Sequence, residues 1–191
     1  MNAPIDTRDV VLHTPRLTLR PWRQSDLEDF YAYARVDGVG QMAGWLPHQS
    51  REETQKILDL FIGQHKTFAL EYQGKVIGSI GVECYDEEHY PELAAFRGRE
   101  IGYVLAKDCW GQGLMPEAVQ EVIRYLFQVE KLDFLIAGHF DRNTRSARVI
   151  EKCGFRYNKT LPYETQYGTV ETSVESILWN PCRAGVCAEK I

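Results

Sequence analysis

Two glycines, Gly111 and Gly113, stand between a strand-like run and a helix-like run, in "CWGQGLMPEA". A helix N-terminus has unpaired N–H groups and a partial positive charge, so it can bind an anion such as a phosphate. Glycine lets the backbone approach that ligand closely, because it has no Cβ. The pattern therefore predicts either a pyrophosphate-binding turn or a tight turn without a ligand, and the two glycines alone do not decide between them.

Two common phosphate motifs do not fit this turn. A P-loop requires Lys and Ser or Thr after its last glycine, where this chain has Leu114 and Met115. A dinucleotide fingerprint requires a third glycine in a βαβ frame, and Pro116 takes that place. If the turn binds pyrophosphate, the N–H groups of Gln112, Leu114 and Met115 are expected to act with those of the glycines.

A second polar pattern follows in "NTRSARVIEKCGF". Asn143 is a natural helix N-cap, and Gly154 occupies the usual position after a helix C-terminus. Ser146 lies one turn after Asn143, so the two side chains share one face of the predicted helix. The pair can act together on a ligand at the start of this helix.

The elements that position these residues are read from hydrophobic periodicity. The predicted order is one strand, two helices, three strands, a helix, a strand, a helix and two strands, which indicates a mixed α/β or α+β class. Ser25 with Glu28, and Ser50 with Glu53, predict capping boxes for the first two helices. The segment "EYQGKV" predicts a hairpin turn.

Composition excludes some classes of protein. The 191 residues, 44% of them hydrophobic, suit one domain over 1–191, and a net charge of −5 argues against a nucleic-acid surface. No apolar run is long enough for a membrane span or a signal peptide, so the cytoplasm is the expected location. The five cysteines include no C-x-x-C pair or zinc-ligand spacing, so no metal is expected, and residues 181–191 are expected to be a poorly ordered tail.

Four features resemble the GNAT acetyltransferase family, specifically its RimJ/RimL-type branch: "TPRLTLRPW", "EIGYVLAKDCWGQGLMPEAV", "NTRSARVIEKCGF" and the element order, together covering about residues 14–180. The resemblance implies one mostly antiparallel, twisted sheet of six to seven strands, splayed in the middle and flanked by about four helices. One position departs from the family pattern: Asp108 stands where the glycine run usually begins with Arg or Gln, so that side chain cannot pair with phosphate.

The resemblance implies that the cleft binds acetyl-CoA. The implied contacts are Leu105, Ala106, Gly111, Gln112, Gly113, Leu114, Met115, Asn143 and Ser146, and a backbone N–H at Leu105 or Ala106 is a candidate oxyanion donor. Asn143 is expected to bond the pantetheine arm, to cap its helix, or to do both. Four cations are candidates for the 3′-phosphate or are a solvated helix face: Arg142, Arg145, Arg148 and Lys152.

The resemblance also implies direct acetyl transfer to an amine. Many family members have a Tyr seven residues after the motif Asn as general acid, where this chain has Ile150. The branch instead suggests Ser146 as proton donor, or as a small residue that makes room for CoA. Glu100 is the preferred general base. Glu83, Glu164 and His139 are the other candidates, and all four also suit structural or surface roles.

The acceptor amine is left open between a protein N-terminal α-amine, as on a ribosomal protein, and a small molecule. Trp45, His48, Tyr90 and Tyr163 are candidate substrate-binding aromatics or core residues. A non-catalytic acyl-CoA-binding or regulatory module on the same fold is the alternative function. A monomer and a homodimer fit the sequence equally well.

Overall fold

The computed structural model describes residues 1–183, so residues 184–191 of the predicted tail, including Cys187, lie outside the described part. Eight strands are present there: β1 Leu12–His13, β2 Thr18–Pro21, β3 Thr67–Tyr72, β4 Lys75–Glu83, β5 Gly98–Leu105, β6 Phe134–Phe140, β7 Arg156–Glu164 and β8 Val170–Trp179. The four α-helices of the same region are α1 Leu27–Ala34, α2 Arg51–Gln64, α3 Leu114–Gln128 and α4 Thr144–Lys152. None of these helices is long and apolar enough to cross a membrane.

The strands form one sheet in the order β1-β2-β3-β4-β5-β6-β8-β7. Every neighbouring pair is antiparallel except β5 and β6. The predicted mixed, mostly antiparallel fold is therefore confirmed. The sheet has eight strands rather than six to seven, because the two residues of β1 pair with Leu19 and Thr18 at the edge.

The middle of the sheet is splayed, as the resemblance implied. Strands β5 and β6 pair only over Gly98–Glu100 and Phe134–Ile136. Beyond that point β5 remains paired with β4 as far as Leu105, and β6 remains paired with β8 as far as Phe140. A V-shaped gap therefore opens between the two halves of the sheet.

The helix termini follow the predicted signals in part. The hydroxyl of Ser50 accepts a 3.1 Å hydrogen bond from the Glu53 N–H, which confirms the cap of α2. The predicted capping box at Ser25 and Glu28 is wrong, because Gln24–Asp26 form a short 3-10 turn and α1 begins at Leu27. Asp26 instead accepts from the Arg23 N–H at 2.8 Å.

Asp26 is drawn into this turn by a buried ion pair. The Arg20 guanidinium donates to both Asp26 carboxylate oxygens at 2.8 and 2.9 Å, and its Nε donates to Glu71 at 2.7 Å. The Arg20 and Asp26 side chains are 7% and 6% exposed. This network ties β2 and β3 to the turn that starts α1, and so positions the helix that leads into the 36–48 loop.

Arg20→Met should lower the free energy of unfolding by about 3–5 kcal/mol, because it leaves the Asp26 carboxylate buried without its cation. Urea denaturation monitored by circular dichroism measures this change. Arg51→Met is the matched control, since its pair with Glu28 is 56% and 66% exposed and should matter far less. Equal losses in the two variants would contradict a special role for the buried pair.

Candidate active site

A cleft of about 1140 Å³ occupies the gap in the sheet. Gly111 and Gly113 line it beyond the C-terminal end of β5, and Glu83, Glu100 and Glu175 line its other end. Glu100 and Leu105 are five residues apart along β5, so the two ends are separated by roughly 16 Å of extended strand. The cleft therefore connects a helix N-terminus with a group of carboxylates.

The glycine turn presents free backbone donors. Gly111 and Gly113 have φ of +77° and +75°, in the left-handed region that favours glycine. The N–H groups of Gly111, Gln112 and Gly113 have no hydrogen-bond partner within residues 1–183, whereas the Gln112 carbonyl accepts from Arg16 Nη1 at 2.9 Å. Arg16 thus holds the turn through the Gln112 carbonyl and leaves the N–H groups of the turn available to an anion.

Trp110 anchors the same turn to the sheet. Its indole Nε1 donates to the Leu105 carbonyl at 2.8 Å, and the guanidinium of Arg145 lies 4.7 Å from its ring centroid. This cation–π contact holds a charge of α4 beside the glycine turn. Arg145, Arg148 and Lys152 all line the cleft.

The free edge of β5 supplies further backbone groups. The Ala106 N–H donates to the Ile77 carbonyl at 2.7 Å, on the β4 side. In an antiparallel pair alternate residues face the partner strand, so the Leu105 and Tyr103 N–H groups face the gap. Of the two candidate oxyanion donors only Leu105 remains available, because Ala106 is already paired and does not line the cleft.

Asn143 and Ser146 lie at the start of α4 and both line the cleft. The Asn143 Oδ1 accepts from the Ser146 N–H at 3.2 Å, so Asn143 caps the helix. Its Nδ2 donates to the Met42 carbonyl at 3.4 Å. The Ser146 Oγ is 2.8 Å from the hydroxyl of Tyr103, a contact that motif reading did not predict.

The carboxylates occupy the opposite end and one face of the sheet. Glu83 and Glu100 are direct cross-strand partners in β4 and β5. Glu175 comes from β8, where Ser173 Oγ donates to it at 2.6 Å and Tyr90 Oη at 3.4 Å. Only the first of these three carries a salt bridge within residues 1–183, from Glu83 to Lys66.

Burial and like charge change the acidity of Glu100. Its partial burial, then the charges of Glu175 and Glu83, raise its pKa to about 8. A carboxyl group with this pKa is half-ionised near the pKa of an α-amine, so it can accept a proton from an ammonium group. This acidity suits a group that exchanges a proton with an amine.

The predicted aromatic residues separate into two groups. Trp45, His48 and Tyr163 line the cleft. The His48 ring packs on Phe30 and Trp45, its Nδ1 is 2.8 Å from Thr54 Oγ1, and burial lowers its pKa. Tyr90 matches the core alternative: it is buried, is not among the cleft residues, and donates to Glu175 at 3.4 Å.

The remaining candidates take different places. His139 lines the cleft, with its Nδ1 3.0 Å from the Phe140 carbonyl oxygen. Glu164 is exposed and is not among the cleft residues. Arg142 is paired with Glu171 at 2.7 Å, so it is not a free cation at the phosphate end.

Three further residues of the site were missed from the sequence: Arg16, Tyr103 and Glu175. Arg16 and Tyr103 lie inside the recognised segments "TPRLTLRPW" and "EIGYVLA", but nothing local marks a contact with the glycine turn or with Ser146. Glu175 lies in the mostly polar segment "TSVES", a composition typical of any half-exposed strand.

Sequence comparison identifies the family. The family model described as "Acetyltransferase (GNAT) domain" matches residues 16–156. A Bacillus licheniformis protein, "Uncharacterized N-acetyltransferase p20", is 32% identical over 166 residues, covering 82% of this chain and 89% of that protein. The chain belongs to the GNAT acetyltransferase family.

Solved structures show the same fold with different named substrates. A ribosomal-protein-S5-alanine acetyltransferase from Vibrio fischeri superimposes with a TM-score of 0.71 at 23% identity, over 91% of this chain and 98% of that one. A spermidine N-acetyltransferase from Vibrio cholerae, in complex with CoA and spermine, gives 0.70 at 19% identity, over 86% and 96%. The fold itself therefore does not specify the acceptor.

Gly111→Val should weaken acetyl-CoA binding at least roughly tenfold, because a β-branched side chain opposes the positive φ and covers the free N–H groups. Calorimetric titration with acetyl-CoA measures the effect. Gly74→Val is the matched control: its φ is +78°, the space around it is equally open, and it lies in the β3–β4 turn. Unchanged affinity in Gly111→Val would exclude the turn as the phosphate site.

Proposed function

We propose that this chain transfers an acetyl group from acetyl-CoA directly to a primary amine. The observation that carries the proposal is one cleft that joins unpaired N–H groups at Gly111–Gly113 to the partly buried Glu100 carboxylate. The first group of atoms suits the pyrophosphate of CoA, and the second suits an amine that must lose a proton. CoA in the spermidine N-acetyltransferase complex supports this cosubstrate.

In the proposed reaction Glu100 removes a proton from the acceptor ammonium. The neutral nitrogen then attacks the thioester carbonyl carbon, a C–N bond forms, and the carbonyl oxygen becomes an oxyanion. The Leu105 N–H at the free edge of β5 is the proposed donor to that oxygen. Collapse of the intermediate breaks the C–S bond, and the nitrogen loses its second proton. That loss balances the proton that the CoA thiolate takes up, so the products are the neutral amide and the CoA thiol.

Ser146 is the proposed proton donor to the thiolate. Tyr103 and Glu100 are three residues apart on β5, so their side chains point to opposite faces of the sheet. Ser146, which contacts Tyr103, therefore approaches the gap from the face opposite to Glu100. Tyr103 is a positioning residue here, because its hydroxyl holds the Ser146 Oγ. Ile150, at the position where many family members have a Tyr acid, is buried and cannot donate a proton.

The test of this function is acetyl-CoA turnover with a panel of amines, measured as the release of free CoA thiol. The panel should include peptides with a free α-amine, because the resemblance to the RimJ/RimL-type branch suggests such acceptors. It should also include small amines, because a spermidine N-acetyltransferase has the same fold. Thiol release that requires an amine supports the proposal. Tight acetyl-CoA binding without turnover on any amine would favour a non-catalytic binding module.

The pH dependence of kcat/KM should reveal Glu100. Activity requires its ionised form, so kcat/KM should fall as pH decreases below about 8, the raised pKa of this carboxyl group. Glu175→Gln removes a neighbouring negative charge, which should lower the pKa of Glu100 and move this limb to lower pH with the same amine. An unshifted limb in Glu175→Gln would mean that another group, or the amine itself, titrates.

Ser146→Ala should reduce kcat by roughly 100-fold, the lower end of the range for loss of a positioned proton donor, with little change in acetyl-CoA affinity. Tyr103→Phe should lower kcat in the same direction but less, because Ser146 remains. Steady-state kinetics with separate kcat and KM values measure both. A change confined to the KM for acetyl-CoA would show that Ser146 only makes room for the cosubstrate.

A further inference from the structure

Building on the proposed function, we infer that the acceptor is a small amine with a second cationic group. Its reacting nitrogen lies beside Glu100 and its second cation binds the carboxylate of Glu175. We call the end of the cleft lined by Glu100 and Glu175 the acceptor end. The inference depends on the charge of this end, on the packing of its carboxylates and on the loops that cover it.

The carboxylates of Glu100 and Glu175 have no paired cation among the described residues. Glu83 is paired with Lys66, but neither Glu100 nor Glu175 has a salt bridge to any cation within residues 1–183. Burial of a carboxylate without a cation or full hydrogen bonding is unfavourable. A ligand with two positive charges would stabilise the ionised forms of both carboxyl groups.

Glu175 is held in place although it lacks a cation. It is 8% exposed and still lines the cleft. The hydroxyls of Ser173 and Tyr90 each donate to a different oxygen, and each oxygen keeps a further lone pair. A Cβ at Gly138 would lie 2.7 Å from Glu175 Oε1, so the carboxylate lies over that glycine. Glycine at 138 therefore provides the space that this carboxylate occupies.

The separation of the two carboxylates suits a short chain. Glu100 is opposite Ile136 on β6, and Glu175 is opposite Gly138, two residues further along. With strands about 4.8 Å apart and about 3.3 Å per residue, the two Cα atoms are roughly 12 Å apart. Glu175 lies over Gly138, on the β5 side of its own strand, which shortens the distance between the charges. The charge of Glu175 also raises the pKa of Glu100, as expected for neighbouring carboxylates.

The acceptor end is bridged by two loops, which favours a small acceptor over the N-terminus of a protein. The Gln166 N–H, in the β7–β8 turn, donates to the Gly44 carbonyl at 2.9 Å. The Tyr163 ring packs against Gly44, where a Cβ would lie 2.8 Å from it. Arg142 Nη2 donates to the Gln41 carbonyl at 3.2 Å. These contacts join the 41–44 segment to β7, the β7–β8 turn and the residue before the α4 cap.

The experiment compares three acceptors by thiol release from acetyl-CoA: 1,4-diaminobutane, n-butylamine, and a neutral tripeptide with a free N-terminal alanine. The diamine should have a kcat/KM at least roughly tenfold above butylamine, the effect of one charge-assisted hydrogen bond. Glu175→Gln should reduce this ratio to near one. Asp9→Asn, an exposed change of the same charge, should keep the wild-type ratio.

Gly138→Ala provides a second variant that displaces the Glu175 carboxylate without removing it, and it should also lower the diamine-to-butylamine ratio. Circular dichroism establishes that each variant is folded. Equal use of diamine and butylamine by the wild type, or preference for the tripeptide, would overturn the inference while the proposed acetyl transfer stands. No amine-dependent thiol release from any acceptor would overturn the proposed function itself.

Discussion

The early end of pairing between β5 and β6 is the constraint on which the rest of the site depends. Backbone groups in a protein interior need hydrogen-bond partners, so a strand edge left open from 101 to 105 must face water or a ligand. The gap places this edge between the two halves of the sheet. It also lets α4 approach from one face and Glu100 from the other, so groups of opposite function meet in one cleft.

The two ends of the cleft carry opposite electrostatic character. The glycine turn combines free N–H groups, a helix N-terminus and the cations of α4, and Arg145 is held there by the Trp110 ring. At the other end neither Glu100 nor Glu175 has a salt bridge among the described residues. A cosubstrate with phosphates at one end and an amine acceptor at the other would therefore be oriented by charge before any specific contact forms.

Local signals predicted what depends on neighbouring residues in the chain. The turn at Gly111 and Gly113, the Asn143 cap and the Ser50 cap all follow from residue type and short spacing. Ser25 does not cap α1, because Asp26 pairs with Arg20, six residues earlier, in a short turn before the helix. Breaking this buried ion pair would cost more than a surface cap contributes. Tyr103 and Arg16 were missed because their partners are 43 and 96 residues away.

The sequence by itself determined the family, most of the order of the elements and the glycine turn at one end of the cleft, since those depend on contiguous motifs and hydrophobic periodicity. Tertiary structure alone decided the acceptor end. Glu83, Glu100 and Glu175 come from the strands β4, β5 and β8. Their charges act on one another only because the sheet order β4-β5-β6-β8 brings these strands close together. A pKa raised by burial and like charge is a property of that arrangement, and no spacing along the chain encodes it.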